Sequence, residues 1–85
     1  MMYYIYILRC QDDTYYTGFT NNIEKRVRAH NDKKGAKYTR GRTPVELIYS
    51  EEFESKTEAL KREYEIKKLT RKQKEILISN TKVKA

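Results

Sequence analysis

The sequence predicts a small α+β domain. Two short aromatic strands run into a basic helix, a third strand follows a basic loop, and two helices with capping signals close the chain. At 85 residues there is room for one domain and one modest core. Hydrophobic and charged residues are nearly balanced, at 38% and 36%, so aliphatic mass is scarce. Eight tyrosines against two phenylalanines and no tryptophan fill part of that gap, packing with the ring while offering a hydroxyl.

Residues 3–10 are β-branched and aromatic and read as the first strand. Gln11-Asp12-Asp13 is a polar turn, and residues 14–20 read as the returning strand of a hairpin. A three-residue loop puts Tyr6 and Tyr16 on one face; a loop of two or four residues puts them on opposite faces. We expect them to share a face. Asn21 or Asn22 is a suitable N-cap for a helix over about residues 22–32. At about 100° per residue, Ile23, Arg26, Val27 and His30 fall in one inward arc, while Lys25, Arg28 and Ala29 lie outside it.

Residues 31–43 form a basic loop ended by Pro44. Val45 to Phe53 reads as the third strand, with Val45, Leu47 and Tyr49 alternating. Ser55-Lys56-Thr57-Glu58 fits a capping box opening a helix to about Leu69, and Thr70-Arg71-Lys72-Gln73 fits another opening a short helix through Ile78. Residues 1–79 are expected to form the domain and residues 80–85 a frayed basic tail. On the second helix Ala59, Leu60, Tyr64 and Ile66 read as the apolar face, with Glu63 among them. A carboxylate there needs a partner, a hydrogen bond or a cation.

The net charge of +7 is unevenly spread. Residues 24–42 hold eight Lys/Arg against two acids and residues 66–85 seven against one, while residues 43–65 hold three against seven. Such a sided surface favours a polyanion, most simply nucleic acid. A solvated lysine-rich surface is the plainer alternative. Cys10 is the single cysteine, so neither an intrachain disulfide nor a metal knuckle is available, and a reducing compartment, the cytoplasm, is expected. The longest apolar run covers only a few residues near Ile5–Leu8. That excludes a transmembrane helix and a secretory signal, and a membrane is not an expected partner.

Several side chains have two readings. Tyr6 and Tyr16 are packing groups, or phenols that handle a proton or hold a water; a phenol near pKa 10 is a poor base unless a cation lowers it. Gly18 marks a bulge or a close approach of substrate. Arg26 is a surface arginine or a phosphate clamp. His30, the only histidine, is a base, a substrate contact or a packed edge residue. Glu63 pairs with Lys67 one turn on, or ligates a metal; a single carboxylate completed by water and phosphate suits Mg²⁺. Lys33, Lys34, Lys37, Arg40 and Arg42 are placed for phosphate contacts, with Tyr38 for stacking. That loop lacks the spacing of a nucleotide-binding P-loop.

Taken in order, these residues resemble the GIY-YIG nuclease family, and more closely its compact single-domain bacterial members. The likeness spans about Tyr3 to Ile78. Tyr4-Ile5-Tyr6 stands for the first motif, with Tyr in place of the opening Gly, and Tyr16-Thr17-Gly18 for the second. Arg26 and His30 follow at the family's spacing. Gly35 to Thr39 with Arg42-Thr43-Pro44 resembles the loop before the third strand, and Ala59 to Tyr64 resembles the helix carrying the family's glutamate.

The resemblance implies a three-stranded antiparallel sheet flanked by helices. It also implies metal-dependent hydrolysis of nucleic-acid phosphodiesters by a DNA endonuclease of repair or processing, using Mg²⁺ or Mn²⁺. In that reading Tyr16 activates or holds the attacking water, Tyr6 assists, Arg26 stabilises the phosphate, His30 assists proton transfer or contacts the phosphate, Glu63 holds the cation and Tyr38 lines the site. A nucleic-acid-binding module or adaptor of the same fold is the alternative. Many family members carry further domains that choose the DNA; in 85 residues none fits, so targeting is expected to be weak or supplied by a protein partner.

Overall fold

A computed structural model describes the backbone of residues 1–83 and the side chains of residues 1–80. Strands β1 (Tyr3–Arg9), β2 (Tyr15–Thr20) and β3 (Glu46–Phe53) form one antiparallel sheet in the order β2-β1-β3. Helices α1 (Ile23–Asn31) and α2 (Lys37–Arg40) lie between β2 and β3 in the chain; α3 (Lys56–Lys67) and α4 (Arg71–Val83) follow β3.

The central strand explains its own composition. Ile5, Tyr6, Ile7 and Leu8 are all essentially buried, because both faces of β1 are covered. Ile5 and Ile7 pack with Tyr49, Ala59, Ile66 and Ile78 in the larger core, supplied by α3 and α4. Tyr6 and Leu8 pack with Cys10 and Val45, flanked by Tyr16 and Val27, in a smaller core. The two cores lie on opposite sides of the sheet because side chains alternate along a strand.

The hairpin has the three-residue loop. Cys10 N–H donates to the Thr14 carbonyl at 2.8 Å, and Asp13 takes a left-handed φ of 67°, as such loops require. Leu8 therefore opposes Tyr16, and Tyr6 opposes Gly18. Tyr6 and Tyr16 share a face, with ring centroids 6.4 Å apart.

The helix caps form as expected. Asn22 accepts from the Lys25 N–H at 3.1 Å and Ser55 from the Glu58 N–H at 3.3 Å. Thr70 and Gln73 form the reciprocal box at 3.2 and 2.9 Å.

Four expectations need correction. A bulge in the β1–β3 pairing sets Ile7 opposite Tyr49 but Leu8 opposite Leu47, so Ile48 is the extra residue. The expected alternation breaks there, and Leu47 is 39% exposed. The basic loop contains a helical turn, α2, which buries Thr39. On α3 the buried line runs through Ala59 and Ile66, flanked by Arg62 and Glu63, while Leu60 and Tyr64 are exposed. The helix is rotated from the expected phase because Arg62 turns inward to Glu51 on β3, its Nε 2.9 Å from Oε1; Tyr64 instead lies under the Lys68 ammonium, 4.2 Å from the ring centroid. Finally, α4 continues past Ile78 to Val83, so most of the expected tail is helical. Residues 84 and 85 of that tail lie outside the described residues.

Candidate active site

The smaller core holds the unusual chemistry. Tyr6 Oη lies 2.9 Å from His30 Nε2 and 3.4 Å from Arg26 Nε. On the far side of the imidazole, His30 Nδ1 lies 2.8 Å from Thr39 Oγ1, which in turn lies 2.9 Å from the Ala36 carbonyl. The directions follow from counting protons. Thr39 has one hydroxyl proton, and the carbonyl can only accept it. Thr39 Oγ1 must then accept from His30 Nδ1–H. A neutral ring protonated at Nδ1 leaves Nε2 bare, so Tyr6 donates to it. Arg26 Nε–H donates to Tyr6 Oη. One oriented chain thus runs from Arg26 through Tyr6, His30 and Thr39 to the α2 backbone.

The electrostatics agree with that direction. Burial first, and then the Arg26 charge, lower the His30 pKa from its ordinary 6.5 to about 4, keeping the imidazole neutral at physiological pH. Burial raises the Tyr6 phenol, outweighing the lowering by Arg26, and the Glu63 carboxylate adds to the rise. The phenol therefore stays protonated and available as the donor.

The depressed His30 pKa has a consequence for stability. The unfolded chain takes up the His30 proton near pH 6.5, whereas the folded chain resists it to about pH 4. The stabilisation is complete above the unfolded value and is lost as pH falls between those limits. Urea midpoints at about pH 7 and about pH 4.5 should show this decline, and a smaller one in His30→Gln. Equal declines in the two proteins would contradict it.

Two glycines make room for the chain, and neither has a positive φ. A Cβ on Gly18 would lie 2.5 Å from Tyr6 Cζ, and one on Gly35 would lie 2.7 Å from His30 Cγ and 2.9 Å from His30 Cα. Gly18 is thus not a bulge: it lets the Tyr6 phenol lie across the edge strand.

Tyr16 is half-buried, edge-on to His30 at 5.3 Å and stacked with Tyr38 at 5.9 Å. Its hydroxyl makes no hydrogen bond among the described residues. Tyr38 is 40% exposed. Arg42 is already engaged: it lies 4.1 Å over the Tyr38 ring, donates to the Tyr38 carbonyl at 2.8 Å and pairs with Asp12 at 3.0 Å. Lys33, Lys34, Lys37 and Arg40 are exposed around α2, with no side-chain partner among the described residues.

Glu63 approaches from α3. Its side chain is 18% exposed and pairs with Lys67 at 3.0 Å, and its charge reaches Tyr6. No three His, Cys, Asp or Glu side chains among the described residues are grouped to cage a metal. The lone Glu63 carboxylate is a donor that a hard cation completed by water and phosphate could accept.

Sequence reasoning missed Thr39 and Asn31. Thr39 fixes the His30 tautomer. Asn31 ties the end of α1 to Val45, accepting its N–H at 2.7 Å and donating to its carbonyl at 3.2 Å. Neither belongs to an apolar period; a polar residue next to a motif histidine was the available signal for Asn31, and Thr39 carried none.

A family model described as the GIY-YIG catalytic domain matches residues 2–76. The chain belongs to the GIY-YIG family. This family assignment implies a nuclease fold and a nucleic-acid substrate. The chain is 63% identical over 83 residues to the UPF0213 protein CPE1444 of Clostridium perfringens, covering 98% of this chain and 89% of the relative. Two solution structures are similar. The UPF0213 protein BH0048 of Bacillus halodurans is 49% identical with a TM-score of 0.61, covering 93% of this chain and 84% of that one. The protein EF2693 of E. faecalis is 45% identical with a TM-score of 0.67, covering 98% and 88%. Within this GIY-YIG domain, no helix among the described residues is long and apolar enough to cross a membrane.

Proposed function

We propose that this GIY-YIG domain, residues 1–79, is a metal-dependent DNA endonuclease. The observation that carries the reading is the oriented chain Arg26–Tyr6–His30, with the Glu63 carboxylate close enough to act on Tyr6. Arg26 has one nitrogen on Tyr6, which holds the guanidinium in place while its other donors face phosphate. As charge builds on the phosphate oxygens, that fixed cation stabilises it. Tyr16 holds the attacking water: its hydroxyl is unclaimed and half-exposed, whereas Tyr6 is buried with its oxygen engaged on both sides. Tyr6 assists by positioning Arg26, and neutral His30 orients the phenol by accepting its hydrogen bond at Nε2. Mg²⁺ or Mn²⁺, held by Glu63, supplies neutralisation of the leaving oxygen when bound. Lys33, Lys34, Lys37 and Arg40 steer the backbone, and Tyr38 stacks at the site's rim.

Arg26→Ala and Glu63→Gln are each expected to lose cleavage of plasmid DNA by about a hundredfold or more, with circular dichroism and melting close to wild type. Neither side chain belongs to either hydrophobic core, so the fold does not depend on them. Wild-type turnover by both purified variants would overturn the site. Salt-sensitive DNA binding by the wild type, without cleavage, would instead indicate a binding module.

A further inference from the structure

β2 is an edge strand, and the recesses at its two ends are both basic. One, lined in part by Thr20, Asn22 and Lys25, includes Arg26. The other, a shallow recess of about 160 Å³, is lined by Thr14, Tyr15, Arg71 and Lys74.

The two cations of the second recess differ. Arg71 is committed: it donates to the Asp13 carbonyl at 2.5 Å, to the Asp13 carboxylate at 3.3 Å and to Glu75 at 3.2 Å, and lies 4.2 Å over the Tyr15 ring. It is a fixed wall. Lys74 is half-buried, and its ammonium has no ion pair or hydrogen bond among the described residues. Burial first, and then the Lys67 charge, press it below its ordinary range. The nearby acids are already taken, since Arg71 holds Asp13 and Glu75 while Lys67 holds Glu63. A partly desolvated ammonium beside a second one and without a carboxylate is stabilised by an external anion.

Lys67 also links the recess to the site, being one helical turn from Glu63 and within electrostatic reach of Lys74. We propose that this recess is a second phosphate subsite, in which Lys74, flanked by Arg71 and Lys67, takes a backbone phosphate of the bound nucleic acid a few nucleotides from the one at Arg26. The inference rests on the nuclease reading. The six residues of β2 span about 17 Å, the rise of about five nucleotides along one B-form strand. A strand lying on this edge would pass from Arg26, over Tyr16 and Gly18, to Lys74.

The test is binding of a fluorescent DNA duplex in chelator, titrated over a range of salt. Lys74→Ala should weaken binding and lower the slope of log affinity against log salt by about one unit. Lys72→Ala removes the same charge from an exposed position of the same helix and should leave the slope unchanged. Lys74→Arg should retain the wild-type slope, which separates a lost contact from a damaged fold. Equal losses in the two alanine variants, or an unchanged slope in Lys74→Ala, would overturn the subsite while leaving the nuclease reading standing. No binding by the wild type would overturn both.

Discussion

Phenylalanine at position 6 is expected to cut DNA cleavage by about a hundredfold while leaving affinity for DNA nearly intact. Among the described residues the Tyr6 hydroxyl joins the Arg26 and His30 side chains, accepting from one and donating to the other. Its removal frees the Arg26 guanidinium to sample other rotamers, so a cation positioned for the transition state becomes a mobile one. It also leaves His30 Nε2 buried without a donor, at a cost of about 1–3 kcal/mol in stability. The ring itself stays, so the core around Leu8 and Val45 keeps its volume. Initial rates on supercoiled plasmid, read beside duplex affinity and a urea melt, check both parts. Wild-type rates in Tyr6→Phe would remove this hydroxyl from the mechanism.

Gly18→Ala should be damaging for a different reason. The added methyl would sit 2.5 Å from Tyr6 Cζ, in a strand paired along its length to β1. Tyr6 is 1% exposed and cannot swing away, so either the ring or the edge strand must shift. Overpacking of this kind costs about 1–3 kcal/mol. The displaced hydroxyl would also leave His30 and Arg26, so cleavage should fall at least as far as in Tyr6→Phe. A urea melt and a plasmid assay on the same preparation test this. A variant that melts and cleaves like wild type would show that the close approach is unimportant.

Much of this architecture was legible in the sequence, for identifiable reasons. The strands announced themselves by β-branched and aromatic runs, and the caps by Asn22, Ser55 and the Thr70–Gln73 pair, because those signals are local. The shared face of Tyr6 and Tyr16 followed once the loop was three residues long. Features set by tertiary contact were not legible. The Ile48 bulge depends on how β3 pairs with β1, and the phase of α3 on the inward pull of Glu51 upon Arg62. Arg26, His30 and Glu63 could be placed on inward faces by helical spacing. Nothing in their spacing revealed that Thr39 would fix the histidine tautomer or that Gly18 would yield its side-chain volume to Tyr6.

The central claim is a metal-dependent phosphodiester hydrolase built around Arg26, Tyr6, His30 and Glu63. Nicking of supercoiled plasmid and cutting of a branched duplex by the wild-type chain, with Mg²⁺ or Mn²⁺ and then with chelator, test it most directly, with Glu63→Gln run alongside. Cleavage that needs the metal and disappears in the variant is the predicted result. Absence of cleavage on both substrates, or cleavage that persists in chelator and in Glu63→Gln, would contradict the account.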